Sequence, residues 1–107
     1  MSILKFLQET VDGTASIIID SSFVYAIECL PNPKIYNKKF KNAFAELIIH
    51  YGNSKCFIIF LKNGLDTAIV FAKFEEWFYN KSFDIVTVVK EEKSLYFFYE
   101  FYGTQSI

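Results

Sequence analysis

Few side chains in this sequence could do acid–base or nucleophilic chemistry. His50 is the only histidine, and Glu46 precedes it by four residues, the spacing at which a carboxylate on a helix contacts and orients an imidazole. Cys56 follows, and a thiol beside an imidazole can act as a nucleophile. The residues after Cys56 are apolar, which indicates a buried, inert thiol. Because no nucleophile motif accompanies Glu46 and His50, the sequence favours a structural role for them, with His50 stabilised by a helix dipole.

The familiar enzyme signatures are absent from the sequence. It has no phosphate-cradling glycine-rich loop, no G-x-S-x-G elbow, no C-x-x-C pair and no H-E-x-x-H helix. One histidine and two distant cysteines, Cys29 and Cys56, do not make a zinc ligand set. We therefore predict that the protein is not an enzyme, has no catalytic residues and binds neither a metal nor a cofactor.

The clearest helical pattern covers residues 36–51. Its apolar side chains recur at helical spacing, and a glycine follows where a left-handed C-terminal cap is expected. The opposite side carries lysines and an asparagine, as a solvated face would. The residues of the apolar face are Phe40, Phe44, Leu47, Ile48 and Tyr51.

The remaining elements complete a mixed fold. Apolar periodicity, β-branched runs and turn residues predict the following order: a short helix over 2–11, a hairpin of strands 15–19 and 23–30, a strand over 56–61, a helix from Asp66 or Thr67 to about Asn80, and a hairpin of strands 83–90 and 95–102. Residues 67–71 also fit a strand. The sequence thus predicts one α+β domain over residues 1–107, a mainly antiparallel sheet packed by two or three helices.

The last predicted strand is apolar on both faces. Tyr96 and Phe98 alternate with Phe97 and Tyr99, so a half-solvated sheet would expose several large rings. We therefore expect that a second layer covers the face of this strand that does not point to the core. A helix of the same chain is the commoner cover, and a partner protein is the alternative.

Composition and charge exclude several classes of ligand. The chain has no arginine and a net charge of −1, so it lacks the positive surface of a nucleic-acid-binding protein. Its longest apolar runs fall far short of the roughly 20 residues that span a bilayer. The N-terminus carries no secretory signal, so we expect a cytoplasmic protein that does not bind membranes and whose two cysteines stay reduced.

Charge and aromatic residues coincide in the C-terminal half. Residues 1–63 hold seven lysines against five acids, whereas residues 64–107 hold four lysines against seven acids. Aromatic residues make up 20% of the chain, more than the core of so small a domain readily accommodates. Exposed aromatic rings with acids around them suit a basic protein partner. The partner-binding residues predicted on this basis are Asp84, Glu91, Glu92, Tyr96 and Glu100.

In size and composition the chain resembles the immunity proteins that bacteria carry beside contact-dependent growth inhibition toxins. The resemblance rests on a small, aromatic-rich and mildly acidic chain without a catalytic motif, and on no shared sequence motif, because these immunity proteins are diverse. The resemblance implies tight binding to a toxin domain, often a basic nuclease, encoded by a neighbouring gene. The net charge of −1 is less acidic than that of many such proteins, so a contact outside the toxin's active site fits as well as a plug within it.

Two other functions remain open at this point. One is a small ligand-binding domain or enzyme with an aromatic pocket between the sheet and the helix over 36–51, where Glu46 and His50 would be the polar groups. The other is a phage-encoded inhibitor of a host defence protein, which uses the same surface physics as an immunity protein. The sequence predicts neither the oligomeric state nor the identity of the partner.

Overall fold

The computed structural model describes residues 2–10, 12–31, 43–62, 67–92 and 94–106. This part of the chain forms seven strands and one α-helix, together with a single 3-10 turn. The strands are β1 (Ile3–Thr10), β2 (Gly13–Asp20), β3 (Val24–Pro31), β4 (Ala43–Tyr51), β5 (Lys55–Lys62), β6 (Phe83–Glu92) and β7 (Leu95–Ser106); the helix is α1 (Thr67–Asn80) and the 3-10 turn is Ser21–Phe23.

All seven strands belong to one sheet with the order β2-β1-β6-β7-β5-β4-β3. β1 pairs with β6 and β5 with β7 in parallel, and the other neighbours are antiparallel. β2 and β3 are consecutive in the chain, yet they form the two opposite edges of the sheet. Because the three-residue turn Ser21–Phe23 joins them, the sheet has to curl until its edges approach each other.

A ring contact measures the curl of the sheet. The ring centroids of Phe6 on β1 and Phe57 on β5 lie 4.7 Å apart, although β6 and β7 lie between these strands in the sheet. In a flat sheet the same two strands would be roughly 14 Å apart, at about 4.8 Å per neighbour. The sheet is therefore strongly curled, and we call its concave face the inner face.

The helix α1 packs against the sheet, in contact with β3 and β6. Val70, Phe74 and Trp77 are its buried residues, and their spacing of four and three residues places them on one side of the helix. The ring of Phe74 lies 6.0 Å from that of Phe101 on β7. The predicted helix ending near Asn80 is thus confirmed, and the alternative strand over 67–71 is wrong.

The core consists of the inner-face residues together with the buried side of α1. Register fixes which residues share this face, because opposed residues in neighbouring strands point the same way. The alternate residues form the outer face. The inner face contributes Leu4, Phe6, Ile19, Ala45, Leu47, Ile49, Phe57, Ile59, Leu61, Phe83, Ile85, Val89 and Phe98 to the hydrophobic cluster.

The predicted helix over 36–51 is wrong where the structure describes it: residues 43–51 form β4, and residues 36–42 lie outside the described part. β4 lies between β3 and β5 in the sheet. Ala45, Leu47 and Ile49 are fully buried on its inner face, and Ile48 is half-buried on its outer face. Apolar residues lie on both faces, because Phe44 and Ile48 accompany Glu46 and His50 on the outer face. The strand therefore shows no clear alternation, and its apolar residues also match helical spacing.

The predictions for the N-terminal third were also partly wrong. The expected helix over 2–11 is the strand β1, in which Leu4 and Phe6 are buried at strand spacing. The expected strands over 15–19 and 23–30 both exist as β2 and β3, but they do not pair with each other. β2 forms its hairpin with β1, and β3 pairs with β4.

The second half of the chain matches the prediction more closely. β5 contains the predicted strand over 56–61, and β6 and β7 form the predicted antiparallel hairpin. The sheet is mainly antiparallel, as expected, but the described residues contain one α-helix instead of two or three. Nowhere in this part of the chain is a helix both long and apolar enough to cross a membrane.

Candidate binding surface

The structure brings three of the predicted binding residues together and places the other two elsewhere. Glu91 lies opposite Tyr96 in the β6–β7 register, and Glu92 is the next residue of β6, so these three are neighbours. Asp84 lies near the start of β6, where its carboxylate accepts the Ile3 N–H at 2.8 Å. Glu100 is exposed in the middle of β7. The predicted residues therefore do not form one continuous patch.

Two of the neighbouring residues are already engaged in contacts within the protein. The Tyr96 ring is half-buried on the inner face and stacks on Phe57 with centroids 5.2 Å apart. Glu92 forms an ion pair with Lys62 of β5. Glu91 is exposed and, within the described ranges, has no ion-pair partner. The acidic aromatic surface predicted here is consequently smaller than expected.

The predicted pairing of Glu46 with His50 is wrong, because both lie on a strand. Four residues along a strand span roughly 13 Å, and Glu46 is fully buried. His50 instead contacts Glu28 of β3, with Nε2 and Oε1 2.6 Å apart. Cys56 lies opposite His50 on β5 and is exposed, which corrects the expectation of a buried thiol.

These contacts place Glu28, His50 and Cys56 in one row across three strands of the outer face. A carboxylate that orients an imidazole beside a thiol could support proton transfer. Within the part of the chain described here, however, no hydrogen bond joins His50 to Cys56. The same residues offer no group of three histidine, cysteine or acidic side chains that could hold a metal ion.

The other cysteine has an inert thiol. Cys29 lies on β3 beside a cavity of about 280 Å³ that Glu75 and Phe78 of α1 also line. Burial, followed by the hydrogen bond and negative charge of Glu75, raises the pKa of the Cys29 thiol to about 12. The thiol is therefore protonated at neutral pH, and Cys29 is a poor nucleophile.

A different set of exposed apolar side chains surrounds the turn between β2 and β3. Ile18, Phe23 and Tyr25 have exposed fractions of 58%, 61% and 58%. Ile18 and Phe23 line a common groove of about 230 Å³, to which Asn53 and Lys55 contribute polar groups. We call Ile18, Phe23, Tyr25 and Lys55 the junction surface, because they surround the place where the two sheet edges meet.

Backbone hydrogen bonds hold the junction surface in place. The Asp20 carboxylate accepts the N–H and hydroxyl of Ser22, both at 2.9 Å, and these bonds lower the pKa of Asp20. The Ser21 N–H donates to the Ser2 carbonyl, and the Gly52 N–H donates to the Phe23 carbonyl. Gly52 has φ +58°, a conformation that glycine adopts without strain. Phe23 is thus exposed on a fixed backbone.

The sequence contained only a weak signal for this surface. Phe23 follows the turn residues Asp20-Ser21-Ser22 directly, so its ring could have been placed on a turn and not at the start of a strand. Tyr25 lies at a register irregularity between Val24 and Ala26, which no local pattern announces. Its ring is 5.9 Å from that of His50.

Comparison of the chain with protein-family models, with curated proteins and with solved structures finds no match.

Proposed function

We propose that this protein is a non-catalytic binding protein: an immunity protein that neutralises a cognate bacterial toxin by direct protein–protein contact. The observation that carries the proposal is the junction surface. Ile18, Phe23 and Tyr25 are each more than half exposed on a backbone fixed by hydrogen bonds. Apolar side chains gathered on a rigid surface are typical of a protein interface.

The junction surface has the composition of a binding hot spot. Large aromatic anchors supply most of the binding free energy in many interfaces, and a polar rim surrounds them. Phe23 and Tyr25 are the anchors here, and the rim includes Lys55 and the Glu28–His50 pair. Little reorganisation would accompany binding, because the strands on both sides of the turn belong to the same sheet.

Exposed acids support a basic partner. Asp12, Glu91 and Glu100 are exposed, and none of them has an ion-pair partner in the described ranges. Charges of this kind steer the approach of an oppositely charged protein more than they add to its final affinity. They would increase the association rate of a basic toxin domain, while the apolar junction surface would hold the complex together.

The test uses the C-terminal domain of the protein encoded immediately upstream of this gene. We expect its expression to stop growth of a host cell and co-expression of the present protein to restore growth. In a titration with the purified domain, Phe23→Ala should weaken binding about 30-fold or more, the loss expected for a hot-spot residue. Tyr79→Ala is the matched control, because Tyr79 is 84% exposed on α1 outside the junction surface.

Growth that is not restored by co-expression, together with no binding in the titration, would contradict the immunity function. Equal loss of affinity in Phe23→Ala and Tyr79→Ala would leave the function standing but would remove the junction surface as its site.

One observation favours the alternative of a small ligand-binding domain or enzyme. Cys56 lines a cavity of about 280 Å³ together with Ile58, Leu95 and Tyr96. The Glu28–His50 pair lies next to Cys56 on the side of β4. An enzyme that uses this thiol should lose its function in Cys56→Ser and His50→Gln while keeping its melting temperature. For the immunity function we expect Cys56→Ser to restore growth fully, because Cys56 belongs neither to the junction surface nor to its rim.

A further inference from the structure

We propose that the free edge of β2 pairs with an extended basic segment of the partner protein, which adds a strand to the sheet. The inference rests on the proposed function for the identity of the partner. Within the described residues, β2 pairs with β1 alone. In this part of the chain no strand pairs with the outward N–H and C=O groups of β2, and a second extended backbone is the ligand that satisfies such a row.

β2 itself contains no bulge, lysine or proline, three features that protect many edge strands. It pairs with β1 in unbroken register from Gly13 to Asp20, so no bulge twists the edge away from an incoming strand. Its sequence, Gly-Thr-Ala-Ser-Ile-Ile-Ile-Asp, contains no lysine and no proline. Residues 13–16 and Ile18 are exposed. The exposed residues are concentrated in the first half of β2.

The opposite edge strand, β3, is protected. Its register is irregular at Tyr25, it ends in Pro31, and α1 packs against it. Glu75 of α1 also interacts with Cys29 of β3. An open edge is therefore a property of β2 and is not shared by both edges of this sheet.

Charge favours a basic partner segment over a second copy of the chain. Asp12 precedes β2 and Asp20 ends it, and the strand carries no cation. In a two-fold antiparallel pairing centred on Ser16, Asp12 of each copy would oppose Asp20 of the other, and directly opposed like charges are destabilising. A segment with lysine or arginine at both ends would instead place opposite charges there.

A synthetic peptide tests the edge independently of any toxin. The probe is Lys-Val-Thr-Val-Thr-Val-Lys, with two controls: the same peptide with glutamate at both ends, and the same peptide with N-methyl groups on alternate valines. We expect the basic peptide to slow hydrogen exchange of alternate β2 amides about tenfold or more, a change that NMR resolves residue by residue. Both controls should leave exchange in β2 unchanged. Unchanged exchange with the basic peptide, or an equal effect of the N-methylated one, would overturn the inference.

A charge placed on the edge separates this inference from the proposed function. Ser16→Lys puts a cation in the middle of β2, and Ala72→Lys adds the same charge on the exposed side of α1. We expect Ser16→Lys to abolish the peptide effect and to weaken toxin binding at least about tenfold. Ala72→Lys should change neither.

Full toxin binding by Ser16→Lys would overturn the edge inference and leave the immunity function intact. Peptide binding without toxin neutralisation would support pairing at the β2 edge and contradict the immunity function. A dimer in light scattering that Ser16→Lys dissociates would show that a second copy occupies the edge, which overturns the inference.

Discussion

The ammonium group of Lys81 donates a hydrogen bond of 3.3 Å to the backbone carbonyl of Val24, at the start of β3. It donates a second one, also of 3.3 Å, to the carbonyl of Ser21. Lys81 directly follows α1, and its own N–H donates to the Trp77 carbonyl. One residue thus ends the helix and joins it to the turn between the two edge strands.

We expect Lys81→Met to destabilise the protein, because it keeps the apolar stem but removes both charged hydrogen bonds. The free energy of unfolding should fall by about 1–3 kcal/mol, the range for bonds from a charged donor. Urea unfolding measures this. Lys55→Met is the control: Lys55 is exposed, so its change should stay within about 0.5 kcal/mol. Equal effects of the two substitutions would show that the Lys81 hydrogen bonds do not stabilise the fold.

The contact between Phe6 and Phe57 should be measurable as a coupling energy. In a double-mutant cycle of Phe6→Leu and Phe57→Leu, we expect a coupling of about 0.5–1.5 kcal/mol, typical of an aromatic pair. Phe97 is buried on the outer face beside Phe60, so the cycle of Phe6→Leu with Phe97→Leu should be additive. Additivity in both cycles would contradict a curled sheet that brings β1 against β5.

Local pattern was sufficient to predict the elements of the second half of the chain. The helix α1 keeps helical spacing in Val70, Phe74 and Trp77. β6 and β7 are long and rich in β-branched and aromatic residues, and they are joined by a polar turn. In both cases the signal and the structure lie within one continuous stretch of sequence.

The remaining fold depends on contacts that local pattern does not encode. β4 carries Leu47 on its inner face and Ile48 on its outer face, so the spacing of its apolar residues fits a helix as well as a strand. The parallel pairing of β1 with β6 joins Leu4 to Ile85, residues far apart in the sequence. The junction surface depends on this topology, because Ile18 and Phe23 share a groove with Lys55 only once the sheet curls. The binding residues proposed from composition alone therefore missed it.

Thiol reactivity should distinguish the two cysteines. Cys56 is exposed, whereas Cys29 is half-buried with its pKa raised to about 12, so iodoacetamide at pH 8 should modify Cys56 first. Folding raises the pKa of the Cys29 thiol above its ordinary value of 9.0. The protonated thiol therefore contributes stability below pH 9, and that stability is lost as the pH rises toward 12. Mass spectrometry of Cys56→Ser should show slow modification in the native state and fast modification in urea. Rapid native modification would contradict the packing of Cys29 against α1.

Neutralising the exposed acids should change the rate of association with a basic toxin domain. Glu91 and Glu100 are exposed and form no ion pair in the described part of the chain, so the double variant Glu91→Gln/Glu100→Gln should fold normally. We expect a several-fold slower association in low salt and a smaller difference in high salt, because rim charges act through screened long-range attraction. Dissociation should be unchanged. A slower association that is independent of salt would contradict steering by these carboxylates.

Tyr96→Ala should affect stability and not binding. The Tyr96 ring stacks on Phe57 at 5.2 Å and packs against the core, so its removal leaves a gap beside a ring that also contacts Phe6. We expect the free energy of unfolding to fall by about 2–4 kcal/mol. This is less than the usual loss for truncating a large buried aromatic side chain, because the Tyr96 ring is only half-buried. A thermal melt measures the loss, and a titration with the toxin domain below the melting temperature should give nearly full affinity.

The matched variant Phe23→Ala should do the opposite. Its melting temperature should be unchanged and its binding weakened, since Phe23 is 61% exposed. Weak binding by Tyr96→Ala at a temperature where it is fully folded would return the interface to the β6–β7 hairpin.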